Sequence, residues 1–223
     1  MTILAQFFRR NRGFTLIELL VVVGIVGLLM ALVIPAFTGI GRGQSMRSSV
    51  AQLRTTIGLA RQWAITRNEN TYVIFPDDVK VYNPPSQVSM ALRSYAVWGD
   101  KSGYISEWRY LPPGLYFDSQ ETNTINLLNT SSTNTSDRIF NVAFPSNNSP
   151  LQAMRCIAYV PNGRLNQRGA TSLGVFVREG WVEVNTNTGR ATGSGLGPIQ
   201  RTNALYRLFV ECRPLTGQVR VRE

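Results

Sequence analysis

The residues able to do chemistry are few. The chain of 223 residues contains no histidine, which removes Ser-His-Asp and Cys-His catalysis and every histidine-containing metal site. Cys156 and Cys212 are the only cysteines. They are too few and too far apart for a zinc cluster or a CxxC redox centre. Both fall in strand-like segments, so in an exported protein they form one disulfide or stay as two buried thiols. Asp77 and Asp78 adjoin in a Pro-Asp-Asp turn, where they need not converge on a substrate. Trp63, Trp98, Trp108 and Trp181 could form a stacking platform for bases or sugars, or fill a core. No catalytic set emerges, so the chain is not expected to be an enzyme, and nothing calls for a cofactor or metal.

The strongest oddity is Glu18, a carboxylate at the head of the uncharged run Leu19–Phe37. A charge inside an apolar spanning segment is costly and should have a partner or a task. The nineteen residues of that run reach about 28 Å as a helix, close to the thickness of a bilayer's hydrocarbon core. Arg9, Arg10 and Arg12 lie only on its N-terminal side, which places the N-terminus in the cytoplasm. A secretory signal peptide is the alternative, but the run exceeds an ordinary h-region and Ile34-Pro35-Ala36 is a poor cleavage site. A cut between Gly13 and Phe14 would leave an α-amino charge near Glu18, which could then neutralise it in its own chain or a neighbour's.

Arg12-Gly13-Phe14-Thr15-Leu16-Ile17-Glu18-Leu19-Leu20 resembles the prepilin signature of type IV pilins and type II secretion pseudopilins. That resemblance implies cleavage after Gly13 by a prepilin peptidase, N-methylation of Phe14, and a docking role for Glu18 during assembly. It also gives Pro35 the place of a proline that lets the helix melt in a filament. The implied partners are other pilins or pseudopilins, the prepilin peptidase, an inner-membrane assembly platform and the membrane itself. The implied location is the bacterial inner membrane, single pass with a periplasmic globular part, and then a filament.

Beyond the run, Gly39-Ile40-Gly41-Arg42-Gly43 reads as a flexible joint, since no strand precedes it and no Lys-Ser/Thr follows to make a phosphate loop. Met46, Val50, Leu53, Ile57, Ala60 and Ala64 then repeat at steps of four and three, an amphipathic helix with one core-facing stripe. The helix is expected to stop near Asn68. The expected organisation is a leader over 1–13, a transmembrane and assembly helix over 14–37, an amphipathic half over 38–68 and a β-rich domain over 69–223.

Strand-like runs follow at Thr71–Phe75, Arg93–Trp98, Tyr104–Tyr110, Leu115–Phe117, Ile139–Phe144, Arg155–Val160, Leu173–Val177, Trp181–Val184, Leu205–Val210 and Gln218–Arg222, punctuated by Gly, Pro and Asn. Ser119–Asp137 and Asn185–Asn203 read as long surface loops. The fold class is α+β: a long N-terminal helix packed on an antiparallel β domain. Leu59–Asn68, Tyr159–Arg164 and Thr216–Val221 resemble, in that order, elements of GspH/FimT-type minor pilins and pseudopilins. That likeness implies two sheets on the helix, a place at or near a filament tip and a part in priming assembly. Some relatives bind DNA.

Formal net charge is +10, from 21 Arg and two Lys against 13 acidic residues. Without the three leader arginines the balance is 20 basic against 13 acidic, or +7. Such a surplus suits nucleic acid or anionic lipid, or is simply a solvated surface. The C-terminal third concentrates it, with ten arginines against four glutamates. Arg213, Arg220 and Arg222 are the candidate DNA contacts.

Overall fold

The computed structural model describes residues 15–77, 82–121, 125–129, 138–166, 172–189, 191, 199–201 and 207–222, with backbone alone at 31–43 and 199–201. Two compact units divide between Gln44 and Ser45. Helix α1 (Leu16–Arg67) contributes to both. Its backbone remains helical through Pro35 and through Gly39–Gly43, where the glycines predict a joint.

In the second unit, the helical stripe expected from spacing is the buried face. Met46, Leu53, Ile57, Ala60 and Ala64 are fully buried and Val50 nearly so. Each large apolar side chain removed from water in this way contributes about 1.5–3 kcal/mol. Gly58 lies beside that stripe but is exposed, and a Cβ built there would meet nothing within 4 Å. Gly58→Ala should therefore stabilise this unit by about 0.5–1 kcal/mol through helix propensity alone. Chemical denaturation would show this, and a loss of stability would mean the helix face is not free.

The helix ends through a defined exit. Asn68 adopts the left-handed conformation with φ of 50°, and the Glu69 amide donates back to the Ala64 carbonyl at 3.4 Å. This is the Schellman pattern, with asparagine where glycine is commoner. Glu69 is then buried. Its carboxylate accepts from Trp63 Nε1 at 2.8 Å, from the Lys101 amide at 2.7 Å, from the Ser102 amide at 3.0 Å and from the Ser102 hydroxyl. Burial pushes its pKa up, but these four donors outweigh it and hold the carboxyl below the ordinary value. A depressed carboxyl stabilises the fold above its unfolded pKa of about 4.3, and that contribution is lost as pH falls through the folded value. Glu69→Gln should cost about 1–3 kcal/mol at pH 7 and flatten the acid limb of the stability–pH curve. An unchanged acid limb would remove Glu69 from this role.

The β region forms two antiparallel sheets. In the first, β1 (Thr71–Phe75) is central, flanked by β2 (Ser94–Gly99) and β7 (Leu151–Tyr159). Beyond them lie β3 (Gly103–Tyr104) and β4 (Arg109–Tyr110), both on β2, and β6 (Ile139–Ala143) on β7. In the second, the order is β11 (Val219–Arg222), β10 (Arg207–Cys212), β8 (Leu173–Val182) and β5 (Leu115–Phe117), with β9 (Ile199–Arg201) also on β8. One continuous core joins the helical stripe to residues of both sheets, including Val73, Ile157, Val175 and Val210.

Several strand and loop expectations change, and Ile199–Arg201, inside the expected loop Asn185–Asn203, is strand β9. Tyr104–Tyr110 is two short strands, because Ile105 donates to the Val97 carbonyl and Ser106 Oγ accepts from the Val97 amide, turning the chain between them. Leu173–Val177 and Trp181–Val184 merge into one strand that ends at Val182. Arg178, which looks like a break, is buried within β8 and ion-paired, at 2.6 Å to Asp118 and also to Glu121. The polar stretch from Ser119 is not wholly surface loop either. Asn126, Leu127 and Leu128 are fully buried, Asn126 bridges to Gly174, and Arg138 donates to the Asn126 carbonyl at 2.8 Å. The leucines supply apolar area and the buried asparagine is satisfied by the Asp118 and Glu121 carbonyls.

Two turns lock the sheets against α1. Gly163 (φ 77°) and Gly217 (φ 63°) hold conformations that favour glycine. A Cβ at Gly217 would lie 2.1 Å from the Gly163 carbonyl oxygen, which also accepts from Arg61 Nε at 3.1 Å. Tyr159 Oη donates to the Gly217 carbonyl at 3.2 Å. The Pro-Asn-Gly and Thr-Gly turns therefore brace one another and the helix.

Candidate processing and assembly site

Thr15 and Glu18 form a reciprocal cap at the start of α1. The Thr15 amide and hydroxyl both donate to Glu18 Oε2 at 2.9 Å, and the Glu18 amide donates to Thr15 Oγ1 at 3.3 Å. This is a capping box, in which each side chain satisfies an otherwise orphaned backbone donor of the helix end. The arrangement turns the Glu18 carboxylate back toward the N-terminus. The Thr-x-x-Glu spacing is the signal in the sequence that marks this cap.

From Leu16 to Met30 the large apolar side chains are exposed, from 44% at Val26 to 81% at Leu16. An apolar surface of that extent marks a face to be covered. Among the described residues, no helix is long and apolar enough to cross a membrane. The span expected over Leu19–Phe37 runs into 31–43, beyond the described side chains.

A family model described as the prokaryotic N-terminal methylation motif matches residues 8–34. The chain has a prepilin-type N-terminus. That motif is shared with type IV pilin-like proteins, and here it covers 27 of the 223 residues. The match ends at residue 34 and does not extend to the β region. No solved structure matches the chain.

The other residues singled out by sequence stand apart from the prepilin motif. Gly13 and Phe14 lie outside the described residues, as does Asp78; Pro35 is described by backbone alone. Asp77 pairs with Arg155 at 3.1 Å. Of the two alternatives for the cysteines, the structure holds Cys156 and Cys212 as free, buried thiols. They sit on strands of different sheets. Cys156 Sγ donates to the Met154 carbonyl at 3.4 Å, and Cys212 lies against the Tyr159 hydroxyl. Burial pushes the Cys212 thiol up to about 12 and Cys156 well above its ordinary value, so neither is a reactive thiolate.

The tryptophans do not share a platform. Trp98 packs on Tyr72, Trp108 on Tyr104 and Phe144, and Trp63 lies under the Arg67 guanidinium. The C-terminal arginines divide as well. Arg155 and Arg178 are buried in ion pairs, Arg207 pairs with Glu121 at 2.9 Å and Arg222 with Glu211 at 2.7 Å. Arg213 is half-buried and Arg220 exposed.

Proposed function

We propose that the chain is a minor pilin or pseudopilin of GspH/FimT type, a structural and non-enzymatic subunit of a type IV pilus or type II secretion pseudopilus. It stands at or near the tip and primes assembly. In this reading residues 1–13 are a leader cut after Gly13, Phe14 is N-methylated, 14–37 is a single inner-membrane span and assembly helix, and 38–68 carries the periplasmic β domain of 69–223. The observation that carries it is the capping geometry. Glu18 Oε2 is held 2.9 Å from the Thr15 amide, one residue from the amine that cleavage would create. The carboxylate is thus poised for an α-amino group of its own chain or of an incoming neighbour. Pro35 lacks an N–H for the Ala31 carbonyl, so it is the place where the helix can yield as subunits pack.

Mass spectrometry of the membrane-extracted protein tests the processing step. The wild type should begin at a methylated Phe14, and Gly13→Val should leave the chain at precursor length. A mature chain beginning elsewhere would end this reading. DNA contact through Arg213, Arg220 and Arg222 is the lesser reading. Its support is Arg220, exposed with no carboxylate within 4.0 Å among the described residues.

A further inference from the structure

One position on from the core stripe, Arg47, Ala51, Arg54, Gly58, Arg61 and Ile65 repeat along α1 at the same steps of four and three. They share one helical face, with arginines recurring every seven residues, about 10.5 Å apart. No acidic residue lies between Gln44 and Arg67. Arg47 and Arg54 are exposed, and Arg61 is half-buried where it donates to Gly163. Two grooves of about 510 and 550 Å³ open along this face, and Arg54 lines both. Val50, Leu208 and Val221 give the first an apolar floor. Strand β11 walls the second, with Arg220 across from the helix arginines. Among the described residues, no carboxylate lies within 4.0 Å of Arg47, Arg54, Arg61 or Arg220.

We propose that this seam between α1 and β11 docks an acidic amphipathic helix of a different protein. The occupant's carboxylates recur once per heptad against Arg47, Arg54 and Arg61, and its apolar residues meet the floor at Val50, Leu208 and Val221. Two helices crossing at about 20° keep such a register over two heptads. Exposed Gly58 lets the partner approach α1 closely between Arg54 and Arg61. A second copy does not fit. Helix α1 carries a single carboxylate, Glu18, and two rows of arginines laid together would repel. Nucleic acid fits less well. No aromatic ring lines the seam to stack a single strand. A duplex takes a free helix into its major groove, whereas β11 flanks this one. The docking needs neither cleavage at Gly13 nor Glu18, so it stands or falls separately from the assembly reading.

The test uses the full chain in lipid nanodiscs and fluorescence anisotropy at low salt. The probe is a labelled helical peptide of about three heptads, with leucine at the seam positions and one glutamate per heptad beside them. It should bind at least about ten-fold tighter than a peptide of the same composition with the glutamates permuted. Arg54→Glu should weaken it by about ten-fold or more, and Arg54→Gln by less, with thermal melting of both variants unchanged. Arg164→Glu, an exposed charge reversal outside the seam, should leave binding unaltered. Equal binding of the permuted peptide, or an equal loss in Arg164→Glu, would reduce the effect to net charge and overturn the proposal. Tighter binding of an oligothymidylate or a short duplex, lost in Arg54→Glu, would overturn it in favour of nucleic acid.

Discussion

Glu18→Ala should cut incorporation into filaments by at least about ten-fold while the Ser45–Glu223 unit folds and melts as the wild type does. Two losses combine in this variant. The capping box with Thr15 disappears, leaving the Thr15 amide without the acceptor it has at 2.9 Å. The negative charge beside the mature N-terminus disappears too, so a terminal amine in an apolar setting has nothing to neutralise it. Glu18→Gln separates them, because the amide oxygen can still accept from Thr15 while the charge is gone. If charge pairing drives docking, Glu18→Gln assembles as poorly as Glu18→Ala; if the cap is what matters, it assembles normally. The measurement is the ratio of the chain in sheared filaments to the chain in membranes. Normal assembly of Glu18→Ala would overturn the docking role. The globular unit serves as an internal control, since no contact recorded for Glu18 reaches beyond Thr15 among the described residues.

Arg178→Ala should have the largest effect on stability, a loss of about 3–5 kcal/mol. Arg178 is 2% exposed and Asp118 fully buried, with 2.6 Å between Nε and Oδ2. A second nitrogen meets Glu121, which Arg207 also holds at 2.9 Å. Without Arg178, the buried Asp118 carboxylate loses the guanidinium that meets it at 2.6 Å. Burial raises the Glu121 carboxyl, but hydrogen bonds from Arg207 and Arg178 lower it further. Its contribution is therefore present at neutral pH and is lost on acidification through the folded value. The double variant Arg178→Met with Asp118→Leu should recover most of the loss, since replacing both members of a buried pair by apolar groups is often neutral. Urea denaturation would measure both. A loss below about 1 kcal/mol in the single variant would mean that water reaches the carboxylate.

The same residues show why parts of the molecule were legible and others were not. The stripe from Met46 to Ala64 was readable because a helix buries one face at a fixed period, and spacing alone reports it. Thr71–Phe75 and Leu115–Phe117 were readable to the residue because short apolar runs bounded by turn residues have little else to become. Arg178 misled because a guanidinium in a strand looks like a surface residue until Asp118 and Glu121, distant in sequence, close around it. Leu127 and Leu128 were hidden by their polar neighbours. Cys156 and Cys212 both fell on strands, but a bond requires a particular separation and direction of the two side chains, and strand assignment carries neither.

By itself the sequence determined the prepilin-type N-terminus, the apolar run, the helical stripe and the α+β class, all of them local patterns read over a few turns. Only the tertiary structure decided that Cys156 and Cys212 are free. It also decided that Arg155, Arg178, Arg207 and Arg222 are held in ion pairs and that Arg47, Arg54 and Arg61 share a seam with Arg220. Those outcomes depend on which distant strands become neighbours, and that is set by burying a common core rather than by any one segment's preference.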